Sequence, residues 1–263
     1  MNQHQQSNIF CSQASILPVR SSPKHTAEQV SQILYGETFV VNKKKCDWLH
    51  ITCEWDQYTG WVHSSGAYYL GKKSDMAETP KIVVSDFAII KHLQSGKNLI
   101  LSAGSQLHQK LLASKIKVTH GKVDRLKIRK KITPSLLSKI TKNWLGTPYQ
   151  WGGRSRFGID CSGFTQVIFS QLNIKLPRDS HEQFLRAKSV IQPEEKKVLQ
   201  PGDLIFFGNK VNKISHVGMM INHTEMMHAS GQVRINHISN LNKSINQRFQ
   251  EIPQIVLGVA RYF

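Results

Sequence analysis

Up to residue 72 the apolar positions come in short runs: Ile16–Val19, Gln32–Leu34, Thr38–Val41, Trp48–Thr52 and Gly60–His63. Ser-Pro, Tyr-Gly-Glu, Lys-rich and Gln-Tyr-Thr-Gly segments break them apart. Runs this short between turn formers predict strands, and their close spacing predicts a small barrel. Residues 80–130 continue in kind, with strand-like Lys81–Val84, Phe87–Ile90, Leu99–Leu101 and Ile116–Thr119 around Ser-Gly and His-Gly turns. The period then changes. Thr133–Leu145 reads as a helix, with Thr133 as cap, Pro134 in first position, apolar Leu136, Leu137, Ile140 and Trp144, and a stop at Gly146-Thr147-Pro148. After Asp160-Cys161-Ser162-Gly163 the apolar residues fall at Phe164, Val167, Ile168 and Leu172, the spacing of a helix with one buried face. Three short apolar runs follow, Leu204–Phe207, Val217–Ile221 and Met226–Ala229. The pattern thus predicts a multidomain chain, with a small all-β barrel in front, further strands after it, and then a region that mixes helices and strands.

The candidate chemistry lies in the second half. Asp160 is a good N-cap residue, so Cys161 falls in the first turn of its helix. There the macrodipole and unpaired N–H groups favour an anion, which predicts a lowered thiol pKa and a nucleophile. The competing reading of such a cysteine is a small buried hydrophobe. A nucleophile needs a base, and the base needs a group to orient it. His216 and His228 are equidistant from Asn222 in a polar stretch, Asn222-His223-Thr224-Glu225. A hairpin turning there would make the two imidazoles cross-strand neighbours on one face. An asparagine or glutamine could fill the orienting role instead of His228. His181 and His223 are alternative bases, the first in a helix-like stretch and the second in the expected turn. The backbone N–H of Cys161, with the Tyr149 hydroxyl, would meet an oxyanion.

Composition narrows the classes. The chain carries 35 Lys and Arg against 17 Asp and Glu, a net charge of +18. Between Lys110 and Lys142 there are eleven basic residues and one acid, Asp124. A nucleic-acid surface would explain the excess, but so would a solvated face, and no zinc finger, RNP-type strand or basic heptad accompanies it. No nucleic-acid partner is expected. No apolar run approaches the roughly 18–20 residues of a membrane span. The polar start MNQHQQSNIFCSQ has no signal-peptide pattern, which favours the cytoplasm, with the periplasm or secretion as the alternative. Four scattered cysteines, Cys11, Cys46, Cys53 and Cys161, give neither a disulfide framework nor a zinc pattern. No metal or other cofactor is expected. Trp48, Trp55, Trp61 and Tyr58 exceed what a core of some 60 residues needs, so an aromatic binding face is an expectation for the front barrel.

Taken in order, the segments YQWGGRSRFGIDCSGF, PRDSHEQF, PGDLIFF, HVGMMI and MHASG resemble the NlpC-type papain-fold cysteine peptidases of cell-wall metabolism over residues 133–263. The resemblance implies Cys161 as nucleophile, His216 as base and His228 as the residue that orients it. VRSSP, QILYGETFVV, DWLHI and DQYTGWV resemble a bacterial SH3-like domain over residues 8–75. By analogy with two-barrel members, residues 80–130 are assigned to a second one. The combination is similar to the γ-D-glutamyl-L-diamino-acid endopeptidases (dipeptidyl-peptidase VI type). That resemblance implies hydrolysis of the γ-D-Glu–diaminopimelate or –lysine bond in murein peptides with a free N-terminal L-Ala. It implies Glu37, Tyr58 and Asp160 around the substrate ammonium, and Arg178, Asp179 and Ser180 positioning the peptide. Gln57-Tyr58 departs from the more usual Gly-Tyr, which puts the local turn in question. Alternatives are an endopeptidase on polymeric peptidoglycan and a non-catalytic wall- or anion-binding protein.

Overall fold

The computed structural model describes residues 8–75, 79–113, 116–125, 132–191, 198–208, 213–238 and 255–263. The chain divides into two compact units, Met1–Lys127 with Trp151–Gly158, and Ile128–Gln150 with Ile159–Phe263. The basic 110–142 stretch falls partly outside the described residues, at 114–115 and 126–131.

The first unit is built of sheets. Strands β1 (Asn8–Ser12), β2 (Ile16–Arg20), β3 (Gln29–Leu34), β4 (Thr38–Lys45), β5 (Trp48–Cys53), β6 (Thr59–His63) and β7 (Ala67–Lys72) form an antiparallel sheet in the order β3-β2-β6-β5-β4-β1-β7. All five strands expected before residue 72 are present. The apolar pattern missed β1 and β7, the latter with Tyr68 and Tyr69 exposed. Strands β8 (Lys81–Val83), β9 (Phe87–His92), β10 (Asn98–Ser102), β11 (Gln106–Leu107), β12 (Ile116–His120) and β13 (Val123–Asp124), with the one-turn helix α1 (Gln109–Ala113), make two three-stranded sheets. Their apolar residues Val83, Ala88, Ile90, Leu101 and Leu107 share one buried cluster with Ile9, Cys11, Tyr35 and Leu70. Residues 81–124 therefore lean on the first sheet for their core.

The Leu34–Glu37 corner links the two β regions. Glu37 N–H donates to the Leu34 carbonyl at 3.0 Å, and Gly36 takes φ +73°. The Gln106 carbonyl occupies the space a Cβ would need, so the corner admits only glycine. Gln106 N–H donates to the Tyr35 carbonyl at 2.7 Å, and His108 Nε2–H to that of Gly36 at 2.8 Å. Glu37 itself is buried. Its Oε2 accepts from Leu34 N–H at 2.8 Å, and Arg154 grips both oxygens at 2.8 and 3.0 Å. Arg154 also donates to the Gln32 carbonyl at 2.7 Å. Within this unit the counter-ion of Glu37 is Arg154.

Tyr58 is half-buried beside the Gln57 turn. Gln57 holds φ +61°, the left-handed region that favours glycine, so the departure from Gly-Tyr is real strain. Its side-chain amide offsets part of that by donating to the Cys53 and Glu54 carbonyls at 3.3 and 3.2 Å. Of the aromatics expected on a binding face, Trp48 is core, packed by His25 and His63. Trp55 is half-buried, while Trp61 lies against His50 with the Lys43 ammonium 5.4 Å above its ring.

The second unit is α+β. Helix α2 (Pro134–Thr141) starts where the sequence predicts, with the Thr133 hydroxyl accepting from Leu136 N–H at 3.3 Å. The short hairpin of β14 (Arg154–Ser155) and β15 (Gly158–Ile159) belongs mostly to the first unit, and helices α3 (Cys161–Gln171) and α4 (Ser180–Leu185) follow it in the second. Strands β16 (Ser189–Ile191), β17 (Leu204–Gly208), β18 (Ile214–Met220), β19 (Glu225–Ser230), β20 (Gln232–His237) and β21 (Ile255–Arg261) form an antiparallel sheet in the order β16-β21-β17-β18-β19-β20. Helix α3 packs on β18 and β19. The PGD motif is structural: buried Asp203 accepts Arg261 at 2.7 Å on each oxygen and Gln200 N–H at 2.8 Å. Among the described residues no helix is long and apolar enough to cross a membrane.

Removing one partner of a buried ion pair strands the other charge, a loss of about 3–5 kcal/mol. Glu37→Ala should show it in chemical denaturation, whereas Glu37→Met with Arg154→Met should lose clearly less. Equal losses would mean that packing, not charge, dominates at this corner.

Candidate active site

The site is assembled around the start of α3. Asp160 has extended backbone, and its Oδ1 accepts Gly163 N–H at 2.7 Å, capping the helix as expected. The same carboxylate takes Arg178 at 3.1 Å on Oδ1 and 2.5 Å on Oδ2, and Arg178 also donates to Ser162 Oγ at 2.8 Å. Asp160 and Arg178 are both buried, so they neutralise one another at the helix start. Asp179 is the exposed N-cap of α4, and Ser180 opens that helix half-buried.

Helix α3 differs from the expected one-sided amphipathic helix: every residue from Cys161 to Ser170 is buried. Several of its polar side chains find partners in the interior. Thr165 donates to Gln183 at 2.8 Å, Gln166 to the Leu176 carbonyl at 3.1 Å and Ser170 to the Val167 carbonyl at 2.7 Å. Hydrophobic periodicity saw only the apolar half of a helix whose polar half is also interior.

Cys161 is the first helical residue and is 6% exposed. Its thiol accepts backbone N–H groups from Ser162 and from Val217, the residue after His216 on β18. Burial, with Asp160 adding to it, pushes the thiol up to about 12 despite those two bonds and Arg178. The expectation of a lowered pKa is corrected: desolvation outweighs the helix terminus, and the resting group is a thiol.

His216 and His228 do meet, with His216 Nε2 and His228 Nδ1 2.7 Å apart. The hairpin pairs Met219 with Met227 and Met220 with Met226, so it turns about position 223 rather than 222. The imidazoles are therefore diagonal neighbours instead of directly opposed. They keep a common face because the register differs by two residues, a whole side-chain period. Burial, His228 and Arg234 together lower His216 to about 3, which leaves it a neutral base. Sequence reasoning missed the next group: His228 Nε2 lies 2.7 Å from Asn236 Oδ1 on β20. The alternative bases lie elsewhere, His181 exposed on α4 and His223 with Nδ1 2.6 Å from the Leu199 carbonyl.

Tyr149 bridges to Ile159, and its N–H donates to the Gly231 carbonyl at 2.9 Å. Burial raises its hydroxyl pKa, with Cys161 and Asp160 contributing, so it remains a donor near the thiol. Among the described residues no group of three or more His, Cys, Asp or Glu side chains could hold a metal ion.

A buried thiol at a helix start, beside a strand carrying a neutral histidine backed by a second one, is the equipment of a cysteine hydrolase. A sequence model of the NlpC/P60 family matches residues 146–252, and one described as the bacterial dipeptidyl-peptidase Sh3 domain matches residues 19–66. The γ-D-glutamyl-L-lysine dipeptidyl-peptidase of Bacillus cereus is 31% identical over 238 residues, 81% of this chain and 70% of that protein. The Bacillus subtilis protein of the same name is 28% identical over 239 residues, 83% of this chain and 78% of its own. A crystal structure of an NlpC/P60 family protein from Bacillus cereus superposes with a TM-score of 0.77 at 21% identity, over 97% of this chain and 99% of that one, which shows the shared fold. The chain belongs to the NlpC/P60 family. It is a cysteine peptidase with an SH3-like all-β front and an α+β catalytic region, as its motifs led one to expect.

The electrostatics of His216 predict a pH dependence. Its folded pKa, about 3, lies below the ordinary 6.5, so between these values the unfolded chain binds the extra proton. Stability should therefore fall as pH drops from 6.5 towards 3. His216→Gln should flatten that slope in thermal unfolding. Parallel curves would show that His216 is not held neutral.

Proposed function

We propose that the protein hydrolyses the γ-D-glutamyl–L-diamino-acid bond of murein peptides that carry a free N-terminal L-Ala, and so serves peptide recycling. The observation that carries the chemistry is the buried His216–His228 pair on a strand whose next residue, Val217, donates its N–H to the Cys161 thiol. The substrate class is supported by the two relatives named γ-D-glutamyl-L-lysine dipeptidyl-peptidases, which match across most of the chain, front domain included.

The resting pair is a thiol and a neutral imidazole. The thiol proton passes to His216 as Cys161 Sγ attacks the γ-carbonyl of D-Glu. The oxyanion meets the Cys161 N–H, which as the first in its helix has no intrahelical acceptor, and the Tyr149 hydroxyl. The protonated His216, whose depressed pKa makes it a ready acid, gives the proton to the leaving amine of the diamino acid. The C–N bond breaks and a thioester remains. Water then attacks it with His216 as base, releasing L-Ala-D-Glu and restoring the thiol.

The test is incubation under reducing conditions with L-Ala-γ-D-Glu-L-Lys and with L-Ala-γ-D-Glu-meso-diaminopimelate, read by mass spectrometry. L-Ala-D-Glu plus the free diamino acid should appear, and Cys161→Ala should abolish both. The N-acetylated peptides should stay intact. Equal cleavage of acetylated peptide or polymeric murein would replace this reading with a wall endopeptidase. No cleavage of any of them would end it.

A further inference from the structure

Two imidazoles joined by one hydrogen bond have an ambiguity: either ring can donate. Only one arrangement leaves His216 a lone pair on Nδ1. Since His216 Nε2 is the atom bonded to His228 Nδ1, that arrangement needs the proton on His216 Nε2 and a bare His228 Nδ1. With Nδ1 bare, the ring proton of His228 sits on Nε2, and something must receive it.

We propose that Asn236 is a positioning residue that resolves this ambiguity: its Oδ1, which can only accept, sets the tautomer of His228 and through it that of His216. The geometry is specific. His228 Nε2 lies 2.7 Å from Asn236 Oδ1, matching the 2.7 Å of the His216–His228 bond, so the three groups form a continuous series. His228 is fully buried, and a misplaced proton there would find no water to accept it. Strand pairing supplies the placement. Arg234 is the register partner of His228, and Asn236, two residues on, falls on the same face one diagonal step away. The tight turn Ser230–Gln232 at Gly231 holds that register.

An amide is also the acceptor that suits the proton's route. It orders the imidazoles without adding charge, so His216 is not made a stronger base than the leaving amine can relieve. The groups acting on His216 are His228 on β19 and Arg234 on β20. Cys161 sits at the start of α3 against β18, and Asp160 and Arg178 act on Cys161, as Cys161 and Asp160 act on Tyr149. None of the groups acting on His216 is a carboxylate, so an aspartate at 236 would be a new kind of influence there.

The inference rests on the assignment of Cys161 and His216 to catalysis, but it can be tested apart from turnover. Imidazole ¹⁵N NMR of the wild-type protein near neutral pH should show both His216 and His228 protonated on Nε2, and Asn236→Leu should disturb that pattern. A His228 proton on Nδ1, or an unchanged pattern in Asn236→Leu, overturns the proposal whatever the substrate proves to be. With the murein tripeptide, Asn236→Leu should lower kcat about tenfold to a hundredfold with KM little changed. Asn236→Asp keeps an acceptor and should recover much of kcat, while moving the acid limb of the pH profile upward, because a carboxylate favours the imidazolium. Equal loss in both variants with an unmoved acid limb would mean that Asn236 only supports the fold.

Discussion

The second unit depends on what happens at one carboxylate. Asp160 stops the chain from entering α3 one residue early, and its Oδ1 receives the Gly163 N–H that an uncapped helix would leave unpaired. Because α3 is buried on every side, water cannot take over that duty, and neither can it screen the charge. Arg178 therefore has to be there, and the loop before α4 is tied back to the helix start by the same ion pair. The position of the Cys161 thiol follows from this, since the first helical residue has no freedom once cap and counter-ion are in place.

Burial also decides how the reacting pair rests. A helix start favours a thiolate by at most a few kcal/mol, whereas loss of solvent around a buried charge costs more. With the thiol raised and His216 lowered, the two groups hold one proton on sulfur and none to spare on nitrogen. In such a pair charge separation is confined to the moment of attack. The series His216–His228–Asn236 fits that design, because it orients the base without pre-charging it.

Much of this was legible in the sequence. Capped helix starts, Thr133-Pro134 and Asp160-Cys161, are local signals and were read to the residue. Strand runs separated by turn formers were read as well. What was not legible is what long-range contacts decide. The polar side of α3 looked exposed because its partners Gln183 and Leu176 lie in a later segment. The two-residue register difference of the β18–β19 hairpin turns on which residues close the loop. Asn236 belongs to a strand that periodicity did not mark, and only its pairing with β19 brings it to His228.

The motif carboxylates invite a further argument about substrate recognition. A carboxylate offers about four lone-pair positions. Glu37 spends three on Leu34 N–H and two bonds to Arg154, and Asp160 accepts Gly163, Ser162 and Arg178 twice. Residues that read as ligands for a substrate ammonium are thus already matched to guanidinium groups inside their own units. An incoming amine at Asp160 would have to displace a donor and leave it buried without an acceptor, at a cost of about 1–3 kcal/mol and more for a charged group. Such a displacement at Asp160 would also loosen the helix start that holds Cys161, setting recognition against catalysis. A further donor at Asp160 therefore competes with the contacts that hold the helix start.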